Sequence, residues 1–585
     1  MANKLKIFIT VIFFTTALFF ALSNTSYALN ISVGTRDEFN VDQNYHVGAN
    51  TKIYASAKKI SEHAYFYVED SYWNSLIPQE REKFNNELDS AAQEFDNRIY
   101  PILTSKLGPV WNPGIDGDSK ITILFLELED WAGGYFNSLD GYPKTKAPDS
   151  NEREIIYINA VHITSSLINT FVAHEFQHLI SFYNKDIKHN KIEETWLNEL
   201  RSEAASIFLG YNNDFKNSRL KGHLQKFLAN PNDNLTSWMN ESIDYAAVNI
   251  FANYLYDQYK ERLFSTMLSN DKVGIESVNE ALGLIGAKED FSRAYMNWTV
   301  ANLVNDVSLG ERFGYKNANL NYDNFHIEPT SVFNVSYLGE FNISYSVNDW
   351  SSLYYEFGAA RGDLKFEIKG MGASSNFKVP YIIKLEDGTK KIKFINLEDT
   401  ERELLVYNFG ERASSITFIP ANHFYKEIEP SLPQSSQIKI SFLSLEISKE
   451  EENANIDNGG DLFFYLLPYF PEGSLLRAKG DFKVYTTKGK YIRHILKPEI
   501  FDFYGHLGFN KIIEVDPLII EEYAKSYLVR ADGDYKVYEI NDDLTRHWLN
   551  VSAESFVLSG RKWGMVYVIN VQERDYYQSG EDIIY

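Results

Sequence analysis

With 585 residues the chain is too long for one hydrophobic core, and about 150 residues per domain allows roughly three or four domains. The formal net charge of −23 argues against binding phosphate backbones, which needs basic patches, so no nucleic acid is expected as a partner. Cysteine is absent, which excludes a disulfide framework, thiol catalysis and any Cys-ligated metal, and leaves His, Asp and Glu as ligands.

In chain order, Lys4 and Lys6 precede an apolar run from Ile7 to Leu22, and Ser26-Tyr27-Ala28 has the small-x-small pattern of a signal-peptidase site. Residues 1–28 therefore read as a signal peptide of a secreted or surface-displayed bacterial protein. An uncleaved anchor is the alternative, although the run is short for a span of about 20 residues. No second long apolar run follows.

Residues 29–325 read as one α+β domain with a sheet lobe and a helical lobe. Phe84, Leu88, Ala91, Phe95 and Ile99 recur at helical spacing between Pro78 and Tyr100, and Ile121 to Leu126 and Glu154 to Asn159 read as buried strands. Trp131 to Phe136 reads as a sheet edge, because Gly133 and Gly134 leave the backbone approachable. Helices are expected over Leu167 to Tyr183, Glu194 to Leu209 and Ala246 to Tyr259. Asp116-Gly117-Asp118 resembles part of a calcium loop, but Lys120 stands where a third acid is needed, so a turn is preferred and calcium is unsupported.

Beyond His326 to Pro329 the period becomes two. Leu364, Phe366 and Ile368 alternate with charged residues, followed by Ile392 and Phe394 and by Ile416 and Phe418, which predicts a β-sandwich over 330–425. Residues 426–470, with the Pro-bearing stretch from Pro430 to Gln437 and the acidic stretch from Lys449 to Asp461, read as a linker. The tail holds an internal repeat, over 471–525 and 526–580. Leu476 to Tyr485 returns as Val529 to Tyr538 at an offset of 53 residues, and at the same offset Arg493-His494 returns as Arg546-His547 and Val515 as Val568. Such paired modules suit contact with the cell envelope.

The chemistry concentrates in His174-Glu175-Phe176-Gln177-His178. Residues i and i+4 share a helix face, so two imidazoles can grip one zinc ion, and Glu175 can reach a zinc-activated water to take its proton. The helix is expected independently, from the apolar face Leu167, Phe171, Leu179 and Phe182. Composition alone would yield HExxH in roughly one such chain in fifty, so the third ligand decides. Ser181 and Asn184 exclude the His-x-x-Gly-x-x-His pattern. Glu199, on the next predicted helix, can complete a His, His, Glu set with one position open. Glu203, one turn on, can accept the spare N–H of a ligating histidine. Glu193 and Glu194 read as acids favouring the helix dipole.

HEFQH followed by Trp196-Leu197-Asn198-Glu199 and a second acid one turn later resembles the thermolysin-type gluzincins, and more narrowly the hyicolysin family of secreted bacterial metallopeptidases. Pro113 to Asp118, Gly134-Tyr135-Phe136 and Ser150 to Glu154 precede Ala173-His174-Glu175 in the order associated with that family, and the resemblance spans roughly residues 65–259. It implies that Glu199 binds zinc, that a downstream Tyr or His, with Tyr245 the candidate ahead of His189, steadies the oxyanion, and that substrate lies along Gly134 and Tyr135. One departure is Leu200-Arg201, where relatives tend to have Gly after the ligand Glu.

The expected activity is zinc-dependent endopeptidase hydrolysis of protein or peptide substrates. An aminopeptidase of the same metal class is the nearest rival, but the Gly-x-Met-Glu-Asn loop those enzymes share is missing. An envelope-binding protein with a vestigial peptidase domain is the other, and intact His174, Glu175, His178 and Glu199 argue against decay.

Overall fold

The computed structural model describes residues 31–584, except 336–339, 373–375, 398–400, 424–434, 446–462, 466–469, 471, 490, 516, 518–519 and 521–522. The signal peptide over 1–28 and the acidic stretch from Lys449 to Asp461 lie outside the described residues. Among those described, no helix is long and apolar enough to cross a membrane. Two compact units divide at Asn184 and Lys185.

The first unit is built on a six-stranded sheet. Its strands are β1 (Arg36–Asn40), β2 (Lys52–Ile60), β3 (Ala64–Glu69), β4 (Ile121–Leu126), β5 (Gly134–Tyr135) and β6 (Ile155–Asn159), in the order β1-β2-β3-β4-β6-β5. β3, β4 and β6 run parallel and are buried along their whole length, as the unbroken apolar runs require. The Gly133-Gly134 stretch forms the terminal strand β5, antiparallel to β6. Helix α1 (Asp70–Ser75) leads into α2 (Pro78–Glu94), which continues through a π-helical turn into α3 (Tyr100–Leu107). The five residues expected on one face of this run are all at most 3% exposed.

Helix α4 (Ile168–Phe182) completes the unit. It is buried nearly all round rather than along one stripe, which marks a central helix. Leu179 and Phe182 are buried as expected, whereas Leu167 and Phe171 are only partly so. Phe176 packs edge-on against Phe95, with ring centroids 5.1 Å apart, and stacks on Tyr100.

The second unit opens with α5 (Thr195–Phe208), α6 (Arg219–Ala229), α7 (Ser242–Ser269), α8 (Gly274–Leu284) and α9 (Phe291–Val304). α7 starts four residues earlier than the sequence suggests, because Glu241 and Asp244 form a reciprocal capping box. It breaks at Lys260, whose φ is 60°, so its first segment ends where expected, at Tyr259.

The β-rich region is one connected set of eleven strands around a core that runs from Val335 to Phe442. The boundary at 425 and the linker over 426–470 need correction. Ser435–Leu445 is a strand between Gly362–Met371 and Glu340–Asn348, with Ile438, Ile440 and Phe442 at most 2% exposed, and Phe463–Tyr465 pairs with Glu401–Phe409. Its period-two pattern was readable but overshadowed by the nearby prolines.

The tail forms two five-stranded sheets with the same connections. In each, a strand (Leu475–Ala478; Leu528–Ala531) pairs antiparallel with the next (Val484–Lys488; Val537–Ile540), which pairs with a third (Tyr491–His494; Thr545–Trp548). Parallel strands flank both sides. The 53-residue offset holds only for the first two strands. The first hairpin closes with Lys488 opposite Tyr491, the second with Asn541 bonded to Thr545, so the second loop is one residue longer. Beyond it the equivalence shifts to 54. Tyr485 faces His494 but Tyr538 faces Trp548, and Ala478 faces Val515 but Ala531 faces Ile569. Arg546-His547 and Val568 are therefore displaced by one residue from Arg493-His494 and Val515. In a strand that reverses the face: Val515 is 5% exposed and Val568 is 55% exposed.

Candidate active site

His174 and His178 lie one turn apart on α4, both buried, with ring centroids 5.1 Å apart and ring planes nearly perpendicular. Glu199 projects from the first half of α5. His174, His178 and Glu199 each offer one ligand atom, and those atoms lie within 4.8 Å of one another; this is the one such group among the described residues. Two neutral nitrogens and one carboxylate oxygen are a donor set suited to a divalent ion of the zinc type, with a coordination position left over.

Glu175, 7% exposed, faces β5. A Cβ on Gly134 would stand 3.0 Å from its Cγ, 3.2 Å from its Oε1 and only 2.6 Å from the Tyr157 carbonyl oxygen. Any larger residue at 134 would push the edge strand away from Glu175, so the absence of a side chain is what lets backbone and carboxylate meet. Gly133 is pressed in the same way against the Phe171 ring. Phe136 lies nearly parallel to His178 at 6.0 Å, limiting the ring's freedom from the side. Tyr135 points to the opposite face, stacked on Tyr157 at 4.2 Å, with its hydroxyl accepting from the Asp42 amide. Its expected substrate contact is thus narrowed to its backbone.

Glu203 is 2% exposed. The Asn249 amide donates to its Oε2 at 2.8 Å, and His223 Nε2 and Arg219 Nη2 stand at 3.3 and 3.4 Å from its two oxygens. Burial lowers the basicity of His223. These three partners come from α6 and α7, where no local pattern announces them. Tyr245 sits in the first turn of α7, partly exposed, its ring 4.8 Å from Trp238 and its hydroxyl donating to Asn240. His189 is partly buried just past the π-helical turn that extends α4.

Glu193 and Glu194 stand at the start of α5, with Glu194 as its N-cap, where the helix dipole favours acids, and both are also held by specific donors. The Glu193 side chain is 3% exposed, takes Arg201 Nη1 at 2.7 Å and accepts the Gly274 amide, and Glu194 accepts from the Trp196 indole. Arg201 is fully buried, about 200° around α5 from Glu199, and so ties the helix down on the side away from the ligand. Lys185, also buried, donates to the carbonyls of Asn270 and Lys272, and burial followed by the Arg201 charge lowers it to about 8.

In the Asp116 loop the turn reading holds: Asp116 accepts from the Asp118 amide and Asp118 from the Lys120 amide. Glu154 joins them from β6's leading end, and no three-donor group forms there among the described residues.

This defines a His, His, Glu group whose two histidines are buried and whose glutamate is partly so. No family model matches the chain. It is similar to the neutral metalloprotease ShpI of Staphylococcus hyicus, at 26% identity over 179 residues; the match covers 28% of this chain and spans 37% of that relative's length. Among solved structures, a metallopeptidase from Bacteroides thetaiotaomicron aligns over 61% of this chain and 65% of its own, at 12% identity and a TM-score of 0.22. The mitogen of Yersinia pseudotuberculosis aligns over 19% of this chain and 88% of its own, at 7% identity and a TM-score of 0.15.

Proposed function

We propose that this chain is a secreted metalloendopeptidase that holds one zinc ion on His174, His178 and Glu199. The observation carrying this reading is the convergence of those three donors next to Glu175, and the sequence similarity to a neutral metalloprotease supports it. When bound, such an ion supplies Lewis acidity and makes a coordinated water acidic. Glu175 takes the proton of the attacking water and delivers it to the departing amine nitrogen. The open side of β5 receives the substrate backbone as an added strand, which Gly134 brings up against Glu175. Glu203 steadies the ligand assembly one turn beyond Glu199, and Tyr245 is assigned to the oxyanion. Residues 1–28 direct export.

The test is digestion of unfolded casein by the chain from residue 29 onward. A chelator should abolish it and zinc restore it. Glu175→Gln should keep the metal and lose about 10³-fold in rate, within the range for a general base; equal rates for the metal-loaded variant and wild type would discard the reading. Gly134→Val should retain the metal and lose about 100-fold, since a misplacement near 1 Å costs that much. Unchanged activity would remove β5 from substrate binding.

A further inference from the structure

The catalytic reading leaves the two C-terminal modules unused, and their surfaces share a feature that their interiors do not explain. After the first strand of each module the chain turns through a glycine in the left-handed region, Gly480 at φ 81° and Gly533 at φ 74°. The turn closes by the same bond in both, Asp481 to the Ala478 carbonyl and Asp534 to the Ala531 carbonyl, each 3.0 Å. The aspartate then accepts a following amide, of Phe482 and Lys483 in one module and of Lys536 in the other. On this fixed turn stands an aromatic ring in open water: Phe482, 84% exposed, and Tyr535, 78% exposed. A second pair follows. Phe509 and Trp563 occupy equivalent places, three residues before Ile512 and Val566, which face Leu475 and precede Tyr567 respectively in the matching parallel strands. They are 63% and 54% exposed, each lying against an aromatic of the preceding short helix, Phe501 and Phe556.

A single exposed apolar side chain needs no explanation. The same position exposed twice, on the same closed turn, does. The ring is kept and the hydroxyl is not, so a flat face is the shared property. In the sequence each turn ring is flanked by charged residues, Lys479, Asp481 and Lys483 in one module and Asp532, Asp534 and Lys536 in the other, not by the run of apolar side chains that a protein interface would use. The first turn carries two lysines to one aspartate and the second two aspartates to one lysine, so the rings share no net charge that an anionic membrane would select, and the charge of −23 disfavours nucleic acid. A pyranose ring offers a flat C–H face to an aromatic and hydroxyls to the flanking charges, and a polymer of such rings offers them repeatedly.

We propose that Phe482 and Tyr535 are the stacking platforms of a bivalent polysaccharide-binding surface, with Phe509 and Trp563 as secondary platforms. This is independent of the peptidase reading. The rigid turns hold the rings ready, and two modules in tandem convert weak single contacts into retention on an insoluble polymer.

The experiment is co-sedimentation of the full chain with peptidoglycan sacculi, chitin and cellulose, with phosphatidylcholine–phosphatidylglycerol vesicles as a further arm. Wild type should sediment with at least one polysaccharide and not with vesicles. Phe482→Ala and Tyr535→Ala should each weaken retention about tenfold, and the double variant about 100-fold or more. Phe482→Tyr and Tyr535→Phe should bind as wild type, and the unfolding midpoint should stay unchanged in every variant, because the rings are exposed. Retention on no polysaccharide, retention on vesicles alone, wild-type retention by the double variant, or equal loss in the ring-preserving variants would each overturn the proposal.

Discussion

The N-terminal sheet and the C-terminal modules each bury a glutamate, and they treat it in opposite ways. Glu573, fully buried in the second module, lies 2.6 Å from Arg493 Nη1 of the first, and the hydroxyls of Tyr504 and Tyr577 donate to it as well. Glu154, 3% exposed, accepts the Ile115 amide at 3.0 Å but has Asp116 and Asp118 for neighbours. Burial, reinforced by those two carboxylates, pushes it up to about 8. Where a cation is buried with the carboxylate, the pair fastens two modules together. Where none is, a proton must stand in for it.

The largest effect is therefore expected at Arg493. Arg493→Met leaves Glu573 buried against two tyrosines without its counter-charge and should cost about 3–5 kcal/mol, the usual penalty for halving a buried pair. Arg546, which sequence identity had matched to Arg493, pairs instead with Asp575, itself 52% exposed. Arg546→Met should cost under about 1 kcal/mol. Hydrogen exchange of the module strands under increasing urea separates the two. Equal costs would mean that the modules do not depend on the Arg493–Glu573 pair.

That contrast also shows how far the sequence could be read. His174, Glu175 and His178 were legible because one helical period brings i and i+4 together, and Glu199 because the next predicted helix offers an acid where the resembled family places its ligand. Gly134 was readable as approachable backbone, but not what approaches it, since Glu175 arrives from 41 positions further along. Asn249, His223 and Arg219 around Glu203, and the burial of Glu193 with Arg201, depend on how helices pack, which leaves no periodic trace. In the modules identity itself misled: one extra residue in a hairpin moved Arg546-His547 and Val568 off the positions their letters suggested, and strand pairing restored the correspondence. The strand Ser435–Leu445 was lost for the opposite reason, since its alternation was plain but its neighbourhood looked like a linker.

The effect at Glu154 is the smaller one at pH 6 and depends on pH. Burial holds its pKa in the folded protein at about 8, against 4.5 for an unburied glutamate. Below 4.5 both states are protonated and burial carries no penalty from charge. As pH rises from there, the unfolded chain ionises freely while the folded chain holds its proton, so stability is lost progressively until pH passes about 8. Glu154→Gln keeps an oxygen for the Ile115 amide and removes the ionisation. The variant should match wild type near pH 4.5, gain up to about 2 kcal/mol by pH 6, and level off above pH 8, as unfolding midpoints measured across that range would record. A gain that does not vary with pH would mean that Glu154 is ionised in the folded sheet, with a cation or a bound ion beside it. A loss at all pH values would mean that its second oxygen makes a bond the amide cannot replace. Either outcome would erase the difference between the two buried glutamates.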